Sequence, residues 1–183
     1  MQSEINKRIY QLKIYLQDTK PSVWRRVLVK ENTTMEQLHR IIQISMGWED
    51  CHLYQFIIKG DVFGSAEIDY PGRKDNNAKL SSFKFNEKNK IIYEYDFGDN
   101  WQHIITVEKI LAENNKLNYP SCIGGKLACP PEDCGGIYGY YDLLKALENK
   151  DHPEHEEMLE WIGEGFEPKN FDKDSVSEEL RNI

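Results

Sequence analysis

Three of the four cysteines fall within a short stretch of the chain and form the first candidate for chemistry. Cys122, Cys129 and Cys134 are separated by six and four intervening residues. His103, in a neighbouring predicted hairpin, could supply a fourth ligand, because three thiolates and one imidazole make a tetrahedral structural zinc site. The gaps are wider than those of a C-x2-C knuckle, and free cysteine is often a plain core residue. A zinc site and buried thiols both remain open.

Carboxylates and one imidazole form the second candidate. They come from two segments of the chain and comprise Asp96, Asp99, His103, Glu132 and Asp133. Such groups bind a hard metal ion, or transfer protons when burial shifts their pKa values. In the structural alternative, Asp99 shapes a turn, Asp96 faces solvent and His103 is a core histidine. The candidate catalytic residues are Asp96, Asp99, His103 and Glu132.

Two further motifs point to structure more than to chemistry. Gly135 and Gly136 precede a predicted helix, whose free N–H groups could hold an anion. No Lys-Ser/Thr pair follows them as it does in a P-loop, so we expect a turn. His152 and His155 do not fit HExxH or HxxEH, which excludes a zinc protease of those types. Both histidines are predicted to be exposed.

Charge is distributed unevenly along the chain. The formal net charge is -8, and residues 151–183, with eleven acidic and three basic residues, carry all of it. Residues 1–30 contain seven basic and two acidic residues. An acidic protein lacks the overall field of a duplex DNA binder. We therefore disfavour duplex DNA as a partner, and leave open weak binding of single-stranded nucleic acid by the basic hairpin.

Hydrophobic periodicity predicts an α+β domain. Period-two alternation predicts strands over residues 9–16, 23–29, 52–58, 91–97 and 101–110. Helical spacing predicts helices over about 34–46, 140–147 and 153–162. The first helix is expected to be capped by Thr33 with Glu36 and to end at Gly47. We predict a mixed, largely antiparallel sheet with two or three helices packed on it, and an N-terminal strand-strand-helix-strand order that resembles β-grasp domains by analogy only.

Loops and aromatic residues complete this prediction. A three-residue turn over 98–100 is expected to place Tyr95 opposite His103 and Phe97 on the buried face. Segments 70–77, 78–90 and 114–139 are expected to have little regular structure. Trp161, Phe166 and Phe171 are predicted to fasten the tail to the core of a single domain spanning 1–183. Deletion of residues 151–183 should then give an insoluble or molten product.

The overall composition is that of a globular protein. Hydrophobic residues make up 39% of the chain, charged residues 30% and aromatic residues 11%, which is too apolar for a disordered chain. No segment approaches the roughly 18 consecutive apolar residues that would cross a membrane, and residues 1–7 do not resemble the start of a signal peptide. We expect a cytoplasmic protein with reduced thiols and no membrane partner.

Several strings, in order along nearly the whole chain, resemble the plasmid pRiA4b ORF-3-like family. They are YQLKIYL, VWRRVLV, LHRIIQISMGW, HLYQFII, YEYDFGDNWQHIITVEKI, YPSCIGGKLACPPEDCGGIYGYYDLLKAL and EMLEWIGEGFEPKNF. The most specific are DFGDNW-x-H and ACPPED-x-GG. The resemblance implies a relation to reading frames on plasmids and beside transposable elements, some of them with a resolvase-type label, but no settled enzymatic activity. It also implies that the position of Cys134 is not always cysteine.

The resolvase label conflicts with the arginine content. A DNA recombinase needs an activated Ser or Tyr and several arginines around the scissile phosphate. The chain has six arginines, and the adjacent pair Arg25 and Arg26 should face opposite sides of one strand. The sequence therefore favours a non-catalytic binding or interaction module in a mobile-element or host-defence context, with a protein partner. The alternative is a metal-dependent hydrolase that uses the carboxylates and His103.

Overall fold

The fold is that of a computed structural model, which describes residues 8–64 and 74–183. The loop predicted at 70–77 lies partly outside the described residues. The described strands form one sheet in the order β4-β3-β5-β6-β1-β2-β7, and each neighbouring pair is antiparallel. They are β1 (Arg8–Leu16), β2 (Trp24–Lys30), β3 (Tyr54–Ile58), β4 (Asp61–Gly64), β5 (Lys90–Tyr95), β6 (Trp101–Ala112) and β7 (Ser121–Lys126).

Four α-helices accompany this sheet in the described residues. They are α1 (Met35–Met46), α2 (Gly136–Glu148), α3 (His155–Ile162) and α4 (Lys173–Glu179), with short 3-10 turns at Leu80–Phe83 and Leu180–Asn182. The predicted α+β class and the order strand, strand, helix, strand are confirmed. Within the described part of the chain, the helices are too short or too polar to cross a membrane.

The main core lies between one face of the sheet and α1. In β1, the predicted apolar set is fully buried, and the same cluster contains the apolar side of α1. These side chains are Tyr10, Leu12, Ile14 and Leu16 from β1, with Leu38, Ile41, Ile42 and Met46 from α1. Burial of each large apolar side chain contributes roughly 1.5–3 kcal/mol. The alternation in β1 therefore decides which face of the sheet receives the helix.

The N-cap of the first helix lies one residue later than predicted. Thr34, not Thr33, is the N-cap: its hydroxyl accepts from the Gln37 backbone N–H, and the Gln37 side chain accepts from the Thr34 N–H. The prediction with Glu36 was wrong because Gln at the third helical position completes the same reciprocal pair. Gly47 ends the helix in the left-handed conformation at φ 85°, as predicted.

The register of the β5–β6 hairpin differs from the prediction. Tyr95 pairs with Trp101, and His103 lies opposite Tyr93. The connection is five residues long because β5 ends at Tyr95 and Asp96 adopts a left-handed φ of 54°. A shift of two residues keeps each side chain on its predicted face. Phe97 is the exception, because it lies in the turn and is 42% exposed.

Three regular elements were not predicted, namely β4, β7 and α4. Strand β7 lies inside the segment expected to be a loop, and it pairs with β2 along Trp24–Leu28. Its Gly125 leaves room for the ring of Phe171, since a Cβ there would lie 2.2 Å from the ring. Main-chain pairing and this close contact carry no hydrophobic periodicity, so the sequence pattern does not reveal the strand.

The C-terminal segment covers the β7 end of the sheet. The Ser177 hydroxyl accepts from the Cys122 N–H at 3.1 Å and donates to the Cys122 carbonyl at 2.7 Å. Leu180 is fully buried in the main core, and Phe171 packs against that core. Trp161, predicted to fasten the tail, is instead 47% exposed on α3. The tail is therefore held by its last turn and not by its tryptophan.

His155 corrects a second expectation about this region. It is buried, and its Nδ1 lies 2.8 Å from the Ala146 carbonyl oxygen. The sequence predicted an exposed position for it, beside the start of a helix. Packing of α3 on α2 decides the burial.

Replacement of Leu180 by Ala should destabilise the whole domain. A buried leucine truncated to alanine costs about 2–5 kcal/mol, and Leu180 has no exposed surface. Urea unfolding should show this loss, whereas Leu117→Ala, at a side chain that is 50% exposed, should change the free energy of unfolding by less than about 1 kcal/mol. Equal effects of the two changes would contradict a fastened C-terminus.

Candidate functional site

Two loops meet at the end of β5, one after α1 and one before α2. The Trp48 indole N–H donates to the Pro130 carbonyl at 2.9 Å, and the Glu49 backbone N–H donates to Glu132 Oε2 at 2.8 Å. These bonds hold the segment 47–53 against the segment 129–135. They bring together five side chains that we call the His52 cluster: Cys51, His52, Asp96, Glu132 and Asp133.

Glu132 is the member of this cluster with the most hydrogen bonds. Its Oε1 accepts from the Tyr95 hydroxyl and, at 3.4 Å, from the Cys51 thiol. The Tyr95 oxygen also accepts from the Cys51 N–H at 3.1 Å and from the His52 N–H at 3.3 Å. Burial, and then the Glu132 carboxylate, raises the pKa of Tyr95, so the phenol remains a donor. Glu132 therefore positions the loop that carries Cys51 and His52.

His52 lies between two carboxylates. Its Nε2 is 3.2 Å from Asp133 Oδ1 and 3.7 Å from Asp96 Oδ2. Asp96 is buried, and its other oxygen accepts from the Gly98 N–H at 2.9 Å. The expectation that Asp96 faces solvent was wrong, because the left-handed turn directs its carboxylate back to His52. Asp133 has a side chain that is 70% exposed, so the group opens to solvent on that side.

The structure separates the four candidate catalytic residues. Asp96 and Glu132 lie around His52, but Asp99 instead accepts from the Gly135 N–H at 3.2 Å. The close approach there requires Gly136, since a Cβ would lie 2.5 Å from the Asp99 carbonyl oxygen. His103 has no exposed surface. Asp99 and His103 are thus placed in a turn and in the core, which is the structural alternative stated for each.

His103 occupies an aromatic environment. Its ring centroid is 5.3 Å from that of Trp48 and 5.3 Å from that of Tyr93. Burial lowers the pKa of His103 to about 3, so the ring is neutral at physiological pH. A neutral imidazole surrounded by Trp and Tyr contributes packing rather than proton transfer with solvent.

Cys51 and His52 were not among the residues predicted to form a site. Both precede β3, which pairs with β5 through Tyr54 opposite Tyr95. Because β3 and β5 are not consecutive in the chain, this pairing brings His52 beside Asp96 without any local sequence pattern that predicts the contact. The adjacent Cys-His pair at the start of a predicted strand is the one signal that could have prompted a search there.

Of the three clustered cysteines, Cys122 and Cys129 are buried and Cys134 is half-buried. Burial raises the pKa of Cys122 and Cys129, and it raises that of Cys134 to about 12. Among the described residues, two sets of three possible ligand atoms lie within 4.8 Å of one another. Neither set includes these three cysteines or His103. The four cysteines of the chain are unpaired thiols, and a zinc site on them remains a prediction.

A second feature is an apolar cleft of about 460 Å³ between α2, α3 and the segment that follows α3. Its wall is formed by Leu127, Tyr140, Leu144, Leu159, Ile162 and Phe166. Lys20, Glu148, Glu167 and Lys169 also line it and supply charge. Leu159 is 43% exposed although it is apolar. The cleft therefore offers apolar surface to solvent beside charged groups.

These features define a class: an α+β domain with an antiparallel sheet, a polar loop cluster at the end of β5 and an apolar cleft between two helices. The chain belongs to the plasmid pRiA4b ORF-3-like protein family, which matches residues 8–175. The resemblance seen in the sequence is thereby confirmed.

Two relatives show how far the similarity extends. Uncharacterized protein y4hQ of Sinorhizobium fredii is 34% identical over 158 residues, covering 85% of this chain and 81% of that protein. The crystal structure of MM3350 from Methanosarcina mazei Go1, a protein of unknown function, is similar with a TM-score of 0.87 and 40% identity. That match covers 93% of this chain and 97% of MM3350. The similarity thus spans nearly the whole fold.

Protonation of His103 should contribute to acid destabilisation. Because its folded pKa is lowered from 6.5 to about 3, the unfolded chain binds a proton between these values and the folded protein does not. The contribution to stability is complete above pH 6.5 and is lost as the pH falls towards 3, by up to about 1.4 kcal/mol per pH unit. Urea unfolding of the protein and of His103→Phe at about pH 7 and about pH 4.5 should show a smaller loss for the variant. Equal losses would contradict the buried neutral ring.

Proposed function

We propose that the domain is a non-catalytic protein-interaction module whose binding surface is the cleft between α2 and α3. The observation that carries the proposal is the cleft itself. At about 460 Å³ it falls within the range of ligand sites, roughly 300–1,000 Å³, and it has the apolar lining with few polar groups that such sites have. The partner would insert one or two large apolar side chains into it.

The surroundings of the cleft fit a protein partner. A protein interface typically has an apolar centre and a polar rim. Here the apolar side chains of Leu144, Leu159 and Ile162 accompany the charged groups of Lys20 and Glu148. The family name refers to a plasmid reading frame, which supports the mobile-element context of this proposal. A host-defence role is part of the same proposal and is motivated by that context alone.

The hydrolase alternative has less support. It needs Asp96, Asp99, His103 and Glu132 around one reacting centre, but Asp99 is bound to a backbone N–H and His103 is enclosed in the core. Glu132 has both oxygens occupied within the protein. The geometry therefore favours binding over proton transfer by these four residues.

The cleft can be tested with Nile red, a neutral apolar dye that fluoresces when it leaves water. Leu159→Gln places an amide on the wall of the cleft, and the lost apolar contact should weaken dye binding roughly tenfold. The matched control is Leu117→Gln, at another exposed leucine outside the cleft, which should bind as the unaltered protein does. Fluorescence titration of the folded proteins gives the dissociation constants. Identical binding by all three proteins would remove the cleft as the site.

The same variants also test whether the cleft binds a protein partner. Immobilised protein should retain a partner from the cells that make it, Leu117→Gln should retain it too, and Leu159→Gln should lose it. Titration of the purified partner should then reproduce the loss. Retention by Leu159→Gln would overturn the interaction surface even if the dye binds there.

Nucleic acid should bind weakly, if it binds at all. Arg25 is buried, and its Nε donates to the Ser45 carbonyl at 2.6 Å. Arg26 forms two hydrogen bonds with Glu108, at 2.6 and 2.9 Å, and Lys30 pairs with Glu113 at 3.5 Å. These three basic residues of the first hairpin are therefore engaged within the protein.

Fluorescence anisotropy with labelled single strands and duplexes should show a shallow salt dependence. Each neutralised phosphate contributes a slope of roughly −0.7 to −0.9 in log affinity against log salt, so we expect a slope no steeper than about −2. Neutralisation of the Arg26 partner by Glu108→Gln frees the guanidinium and should increase any binding. Sequence-specific nanomolar binding to duplex DNA at physiological salt would refute this expectation.

A further inference from the structure

We infer that His52, Asp96 and Asp133 form a binding site for a divalent transition-metal ion. The site is independent of the cleft. It shares Asp96 and Asp133 with the carboxylate set that the sequence suggested, but its imidazole is His52 instead of His103, and it contains none of the three clustered cysteines.

The spacing of the ligand atoms suits one metal ion. His52 Nε2 is 3.2 Å from Asp133 Oδ1 and 3.7 Å from Asp96 Oδ2, and the three ligand atoms all lie within 4.8 Å of one another. Metal–nitrogen and metal–oxygen bonds of about 2.0–2.2 Å place neighbouring ligands of a tetrahedral zinc ion roughly 3.3–3.5 Å apart. The two distances from His52 Nε2 lie close to this separation.

The second observation for a metal ion is the unpartnered nitrogen of His52. His52 Nε2 is sealed from solvent and has no hydrogen-bond partner, because the nearby Asp133 oxygen is not aligned for a hydrogen bond. A buried polar atom without a partner destabilises the folded protein. A metal ion bound to the Nε2 lone pair removes this cost, with the proton of the neutral ring on Nδ1.

The protein holds Asp96 and the loop of His52 in place before any ion arrives. Asp96 is fixed by the bond from the Gly98 N–H to its Oδ1 and by its own N–H, which donates to the Leu53 carbonyl at 2.9 Å. Its Oδ2 is therefore left for the ion. Glu132 holds the loop that carries His52 through Tyr95 and Glu49. Such outer hydrogen bonds orient metal ligands in known sites.

The donor set selects the ion. Two carboxylates balance the charge of a divalent cation, and an imidazole favours transition metals over magnesium and calcium, which prefer oxygen ligands. In the Irving–Williams order manganese binds sites of nitrogen and oxygen ligands more weakly than zinc does. We therefore expect zinc to bind more tightly than manganese, and magnesium to bind most weakly. With three protein ligands and an exposed Asp133, a water molecule can take a remaining position.

The test is metal analysis of the full-length protein after chelation and dialysis against Zn²⁺, Mn²⁺ or Mg²⁺. About one equivalent of zinc should bind. His52→Gln and Asp133→Asn should each weaken zinc binding at least about tenfold, as loss of a ligand or its support does. Asp133 is mostly exposed, so its variant should keep the melting temperature of the metal-free protein and thereby separate metal loss from unfolding.

Three matched controls decide between sites. Asp99→Asn changes a carboxylate of the same hairpin turn outside the site, and Cys129→Ser changes the predicted cysteine site; both should retain zinc. Cys51→Ser should also retain it, although Cys51, His52 and Glu132 form a neighbouring group of possible ligands. Zinc that is kept by Asp133→Asn but lost from Cys129→Ser or Cys51→Ser would overturn the assignment. Failure of the unaltered protein to bind zinc would also overturn it.

Discussion

The buried guanidinium of Arg25 is the interaction on which most of the architecture depends. It lies in β2, donates to the carbonyls of Ser45 at the end of α1 and Lys126 at the end of β7, and is stacked over the Phe171 ring at 4.0 Å. Arginine remains charged at physiological pH, so burial without these partners would be very costly. One side chain thus joins the first helix, the last strand and the C-terminal tail, and the fold must supply all three.

In the polar loops, as at Arg25, one charged side chain joins several segments through its hydrogen bonds. Glu132 accepts from three donors, the Tyr95 hydroxyl, the Cys51 thiol and the Glu49 N–H. These bonds satisfy a carboxylate and at the same time set the position of His52. A residue that sequence reasoning treated as a catalytic candidate is therefore better understood as the support for its neighbours. The imidazole that faces two carboxylates is His52, with Asp96 and Asp133 beside its Nε2.

The accuracy of the sequence predictions follows the range of the interactions that decide each element. The first hairpin and α1 depend on alternation, helical spacing and a cap, all of them local, and they were placed within a residue or two. The β5–β6 register was wrong by two residues because the turn length depends on the conformation of Asp96. Strand β7 was missed because glycines and main-chain pairing with β2 leave no hydrophobic pattern.

The sequence by itself determined the family, the α+β class and the buried face of β1, because motifs and periodicity are written in neighbouring residues. Only the tertiary structure decided that His103 is enclosed while His52 meets Asp96 and Asp133. The physical reason is the sheet order, in which β3 pairs with β5 across a long stretch of chain. Side-chain chemistry can be listed from residue types, but which groups share a site is fixed by long-range pairing and by the loops that it brings together.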